Sequence, residues 1–426
     1  MPRGLAVLLL ALFAIAPAQG ASPPTDTATL TGQHIVGYQG WFVCPGDRPP
    51  AQGSPHDSWA HWFHTSRDAP PRVVVDMLPD TSELTPAERC PSGWRDRAGR
   101  EISLYSNRNA TTVDRHFAWM AEYGIHTAAA QRFVIGLTVP AVQARFDTVL
   151  DNIRRGAEAH HRGFFVAYDI SGLRDDQLPM LAADWRALRG RGLTDSPAYQ
   201  RHRGRPVLMI WGLGFRDRPG DPAAARALLA AVRDAGPVTL VGGVPTNWRT
   251  LDRDAKGDAE WAAIYRSFEV LSPWTVGRYG DARSIDANRI DRLLPDLEAT
   301  RRTGQDLMPV IFPGFSWANV MALNGRTAPR NAFPRRCGAF YWDQARALGR
   351  SGATMVYTAM FDEVNEGTAI YKLAPTARDL PESPVFVPLD IDGCRLPSDW
   401  YLRIAGQISR RIGTRDWPDR LPLALP

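Results

Sequence analysis

The stretch Ala353-Thr354-Met355-Val356-Tyr357-Thr358-Ala359-Met360-Phe361-Asp362-Glu363-Val364-Asn365-Glu366-Gly367 passes from an apolar block of strand length straight into a carboxylate-rich turn. The first nine residues are rich in β-branched and aromatic side chains, which predicts a buried strand over 353–361. The carboxylates come only past its C-terminal end. That is the layout of a parallel sheet, covered on both faces, with its reactive groups at one rim.

Working outward, the same kind of block recurs at 34–42, 125–133, 163–170, 206–211, 238–244, 267–273 and 308–312. Helix-like stretches lie between them at 113–123, 139–160, 223–234, 285–303 and 342–350. In 285–303 the spacing of Ile290, Leu293, Leu294 and Leu297 predicts one buried face, with Gly304 as the stop. Eight strands alternating with helices, without a dinucleotide-type glycine fingerprint, predict an α/β fold closed as a (β/α)8 TIM barrel. The Pro- and Gly-rich stretch 45–109 exceeds a bare barrel and reads as a long inserted loop after strand one. Residues 384–392 read as extended and 398–412 as a closing helix.

Met1-Pro2-Arg3, the apolar run 5–15 and the small residues Ala16-Pro17-Ala18 and Ala18-Gln19-Gly20 have the layout of a signal peptide over 1–21. A single catalytic barrel domain over 22–426, secreted or periplasmic, is then expected. The run is too short to span a bilayer, and no later one reaches that length, so no integral membrane segment is expected after cleavage. Cys44, Cys90, Cys337 and Cys394 are an even set in an oxidising compartment, so two disulfides are expected. Three pairings exist, and Cys44–Cys90 with Cys337–Cys394 encloses the shorter loops. No C-x-x-C spacing suggests zinc. The net charge of +5 is carried by scattered arginines, Lys256 and Lys372 being the only lysines, and forms no nucleic-acid stripe. A monomer without metal or cofactor, acting on a carbohydrate, is the expectation.

That carbohydrate expectation comes from the rim. An indole face stacks on the apolar face of a pyranose, while ring hydroxyls need polar partners, and the chain holds 14 tryptophans. Just past successive strands come Trp41, Arg132, Asp169, Trp211, Asn247, Trp248, Trp274 and Trp317, all candidate substrate-binding residues. Trp59, His61 and Trp62 of the inserted loop are candidate sugar platforms, and Asp362 and Asn365 flank the key turn. Glycosidic cleavage needs two carboxyl groups, and residues three apart bring their Cβ atoms to roughly 5–6 Å. Glu363 and Glu366 are therefore the candidate catalytic pair. Elsewhere, Asp390-Ile391-Asp392-Gly393 resembles only the start of a calcium loop, and a turn is the default. Gly-x-Ser-x-Gly is absent. His116, His126, His160 and His161 read as structural or solvated, and Asn109-Ala110-Thr111 is a glycosylation sequon only in a eukaryotic host.

The stretch Phe361-Asp362-Glu363-Val364-Asn365-Glu366-Gly367-Thr368-Ala369-Ile370 resembles the catalytic loop of glycoside hydrolase family 99, Asn-Glu-Trp-His-Glu-Gly-Thr-Gln-Ile. Val36-Gly37-Tyr38-Gln39-Gly40-Trp41-Phe42 and Trp59-Ala60-His61-Trp62 resemble bacterial family 71/99-like proteins. The resemblance implies a TIM barrel and a retaining endo-α-mannosidase working through a 1,2-anhydro sugar. Glu363 would be the base on the substrate 2-hydroxyl, and Glu366 the acid and then the base on water. Asp362, Val364 and Asn365 replace the family's Asn, Trp and His. The same chemistry on a xyloside, arabinoside or α-glucan, or a non-catalytic carbohydrate-binding barrel, are the alternative readings.

Overall fold

Strand-length apolar runs separated by amphipathic helices have one economical way to bury both sheet faces, and the chain takes it. The computed structural model describes residues 22–47, 59–65, 71–382 and 386–425. The expected signal peptide lies outside these, as do parts of 45–109 and 384–392. The barrel strands are β1 (His34–Tyr38), β2 (Thr127–Phe133), β3 (Gly163–Asp169), β4 (Arg205–Trp211), β5 (Thr239–Val244), β6 (Val270–Pro273), β7 in two pieces (Asp306–Leu307 and Val310–Ile311) and β8 (Val356–Thr358). Each pairs in parallel with its sequence neighbours, and β8 returns to β1 with Ile35 opposite Tyr357. Strand β7 is split at Pro309, which has no N–H to give. Met308 N donates to Leu271 O of β6 at 2.8 Å, while Pro309 O accepts from Tyr357 N of β8 at 2.9 Å, so the broken strand still closes the ring.

Helices α1 (Ala110–Tyr123), α2 (Pro140–Ala159), α3 (Pro179–Gly190) and α4 (Pro222–Asp234) follow the first four strands and cover them. Asn109 caps α1, its side chain accepting from Thr111 N at 3.0 Å, and prolines open the other three. Past β5 comes the short α5 (Trp261–Tyr265). The stretch expected as one helix over 285–303 is Ala282–Asn288 and Leu294–Thr303, joined by a π-turn over Arg289–Leu293. Pro295 cannot donate to the Asp291 carbonyl, which takes the side chains of Arg249 and Arg292 instead. The extra residue rotates the apolar face, so Leu293 is buried while Ile290 and Leu294 are exposed, against the single buried face expected. Gly304 ends the helix in the left-handed region. After β7 come α6 (Ala318–Leu323) and α7 (Ala339–Arg350), and α8 (Trp400–Ser409) closes the barrel.

The inserted segment after β1 forms two small antiparallel pairs, Phe63–His64 with Arg72–Val73 and Cys90–Arg95 with Glu101–Leu104. Disulfides join Cys44 to Cys90 and Cys337 to Cys394, with Cα separations of 6.3 and 6.0 Å. Among the described residues no helix is long and apolar enough to cross a membrane.

Candidate active site

At the C-terminal ends of the strands the loops enclose a cleft of about 530 Å³. Strand parity decides what enters it. On β2, Gln131 and Phe133 face the cleft, while Arg132 between them points outward into the helical layer. There its guanidinium binds Asp184 of α3 at 2.6 and 2.7 Å and Asp147 of α2 at 2.8 Å. Trp41, Trp211, Trp274 and Trp317 line the walls, joined by Phe133, Phe215, Phe315 and Phe333. Arg218 lies over the Trp211 ring at 5.2 Å and donates to Ser171 Oγ at 3.0 Å.

The floor is the loop after β8. Strand β8 stops at Thr358, short of the expected 361, because its neighbours pull the chain apart: Ala359 N donates to Ile311 O of β7, and Phe361 N crosses to Gly37 O of β1 at 2.7 Å. Gly37 is required there, since a Cβ would lie 2.1 Å from Met360 Sδ and 2.3 Å from the Tyr357 hydroxyl. The turn itself is pinned on every side. Thr368 N and Ala369 N both donate to Glu363 O, Asp76 N to Val364 O at 2.9 Å, and Ser316 N to Glu366 O at 2.8 Å. Gly367 has φ 63°, and a Cβ there would stand 3.0 Å from Ser316 N. The buried Arg335 guanidinium holds the carbonyls of Gly367 and Ala369 at 2.8 and 2.7 Å.

This frame sends Glu363 and Glu366 into the cleft and Asp362 and Asn365 away from it. Asp362 is wholly buried and accepts from Gln39 N at 2.7 Å and Gly40 N at 2.9 Å, so it fastens the end of β1 rather than meeting substrate. Asn365 donates to His61 O at 2.9 Å and holds the inserted segment. Burial pushes the Asp362 carboxyl up to about 6 against those two N–H groups. Burial also lifts Glu363 well above the carboxylate range, with the charges of Glu366 and Asp362 adding to it. Glu366 is pushed up to about 7, first by burial and then by Asp169, which lines the cleft beside it. Two carboxyls interacting in this way hold a proton between them near neutral pH. That is the charge state acid–base catalysis requires.

Several expected contacts lie elsewhere. Trp62 is core, tilted against Phe42 at 4.1 Å with its N–H on Tyr105 O at 2.8 Å. Trp248 is buried edge-on against Tyr265. Trp59 packs on Phe63 beside a separate recess, and Asn247 is engaged by Asp254 at 2.8 Å in another. His61 supports the site from behind, stacked on Trp41 at 4.1 Å, and burial followed by the charge of Arg145 holds it neutral by pushing it down to about 3. Residues not singled out from sequence complete the cleft: Gln39, Gln131, Phe133, Phe215 and Arg218. Gln39 and Gln131 had the one available signal, adjacency to strand ends. Asp392 spends its oxygens on Asn331 Nδ2 and Arg336 N and braces a turn.

No family model and no curated protein matches the sequence. Solved structures do match. The GH99 endo-alpha-mannosidase from Bacteroides thetaiotaomicron has a TM-score of 0.63 at 14% identity, over 90% of this chain and 98% of that one. That enzyme in complex with bis-tris-propane gives 0.62 at 15% identity, over 90% and 98%. A glycoside hydrolase-like protein gives 0.53 at 13% identity, over 92% of this chain and 97% of that one. At such identities the likeness is one of fold, and it runs nearly the whole length of both partners: the chain shares the TIM-barrel fold of these structures.

Proposed function

We propose that the protein is a secreted or periplasmic retaining glycoside hydrolase acting on α-linked oligo- or polysaccharides. The observation that carries the reading is the placement of Glu363 and Glu366. They are two electrostatically coupled carboxyls on the floor of an aromatic cleft, at the barrel end where such enzymes do chemistry. Glu363 takes the proton of the sugar 2-hydroxyl as O2 attacks C1, and Glu366 gives its proton to the departing glycosidic oxygen. The 1,2-anhydro sugar then opens. Glu366, now a carboxylate, takes a proton from water as its oxygen bonds to C1, and Glu363 returns the first proton to O2. The two disulfides suit an oxidising compartment.

The mannosidic form of the reading rests on the loop's resemblance to family 99. Val364 is wholly buried and Asn365 turns to His61, so neither residue between the glutamates meets the sugar. Xylosides, arabinosides and α-glucans are therefore tested beside α-mannans. Reducing ends are released from one class by the wild type, and Glu366→Gln lowers kcat by about 10³-fold while glycan binding persists. Hydrolysis unchanged in that variant removes Glu366 from the mechanism. A wild type that binds a glycan of the panel and cleaves none is instead a carbohydrate-binding barrel.

A further inference from the structure

We propose that Gln39 is the positioning residue that aims the Glu363 carboxyl in the cleft and favours its ionised form. This rests on the hydrolase reading, which requires the base to be Glu363, but the geometry is independent of it. The backbone of residue 39 has no freedom: its N–H is held by Asp362 Oδ1 at 2.7 Å, and the next N–H by Asp362 Oδ2 at 2.9 Å. So fixed, the Gln39 side chain reaches into the cleft and donates from Nε2 to Glu363 Oε2.

Apart from the Gln39 amide and the Glu366 N–H, the groups that act on Glu363 or its partner are all acids. They are Glu366 and Asp362 of its own loop, Tyr357 of β8, Tyr371 just downstream, and Asp169 of β3 facing Glu366. In that company Gln39 is the side chain that gives Glu363 an N–H, and a donated hydrogen bond favours the ionised form. Burial and these acids hold Glu363 well above the carboxylate range and Glu366 at about 7, so the Gln39 bond works against them. Two buried side-chain oxygens, Gln39 Oε1 and Glu363 Oε1, have no hydrogen-bond partner among the described residues, and both side chains line the cleft. Unpaired buried acceptors are costly, and two sugar hydroxyls, one donating to each, relieve them. One amide thus favours the ionised base and offers an acceptor to a sugar hydroxyl beside it.

Gln39→Met keeps the side-chain length and removes both hydrogen-bonding atoms. On the best wild-type substrate, kcat falls about 10- to 100-fold with KM changed much less. The acid limb of the kcat/KM profile rises by about one to two pH units, the worth of a hydrogen bond to a charged group. Gln39→Asn, whose amide stops one methylene short, shifts the limb in the same direction. An acid limb at the wild-type position in either folded variant overturns the proposal. A measurement without turnover separates it from the hydrolase reading. The infrared carboxylate band assigned to Glu363, by its loss in Glu363→Gln, titrates at lower pH in wild type than in Gln39→Met. Equal titration overturns the role of Gln39. A protein inert on every glycan but showing the difference overturns the hydrolase reading and supports Gln39's hold on Glu363.

Discussion

The loop after β8 and the inserted segment after β1 lie against each other and use similar residues to opposite ends. In the inserted segment, buried side-chain polar atoms other than Arg108 Nε have partners among the described residues, several of them on neighbouring elements. Trp62 gives its N–H to Tyr105 O, Glu88 takes Arg115 at 2.9 and 2.7 Å, and Asp76 accepts from Ser316 Oγ, Ala318 N and Asn319 N. In the loop after β8, the backbone is held as completely, yet Glu363 Oε1 and Thr368 Oγ1 have no partner among the described residues. Buried polar atoms are normally paired. Richness in aromatic and acidic residues does not separate support from site here. Hydrogen bonds left open toward the cleft do.

The contrast breaks most visibly at a tryptophan on each side. Trp62→Ala removes a fully buried indole and a hydrogen bond, and is expected to cost about 3–5 kcal/mol in denaturant unfolding. KM in protein that remains folded stays at the wild-type value. Trp211→Ala is expected to leave the unfolding free energy within about 1 kcal/mol and to weaken glycan binding by roughly tenfold, measured calorimetrically. If Trp62→Ala weakened binding with its stability intact, the division between core and cleft would be wrong.

The barrel was readable because strands buried on both faces must be apolar runs, and their lengths and turn residues survive in the sequence. The same property hides which way each side chain points. At Gln131-Arg132-Phe133 the charged residue draws attention, but a one-residue alternation sends it to Asp147 and Asp184 and leaves its two neighbours in the cleft. The inserted segment misled for another reason. It carries its own apolar layer, with Trp62, Val75, Met77, Leu78 and Leu104 all buried, so its tryptophans are packing residues before they are platforms. Asp362 is likewise indistinguishable from a catalytic carboxylate until its two backbone donors are seen. The glutamate pair was legible because spacing, strand end and family pattern agree on it. Gln39 was not, because its role exists only where β1 meets the loop after β8.

The finest prediction concerns Asp169, which raises Glu366 second only to burial. As the general acid, Glu366 works while protonated, so kcat/KM is sustained below its pKa and falls as pH rises through about 7. Asp169→Asn keeps the oxygen that accepts from Ser171 N at 2.6 Å and deletes the charge. Ionising Glu366 then meets less repulsion, its pKa falls, and the alkaline limb moves to lower pH by about one unit. The acid limb, set on the Gln39 side of the pair, stays within a few tenths of a unit. An alkaline limb that moves upward, or does not move, would remove Glu366 from the acid's role. Two limbs moving together would instead mean that the proton belongs to the pair as a whole, and the division of labour between the two carboxyls would have to be drawn from Gln39 alone.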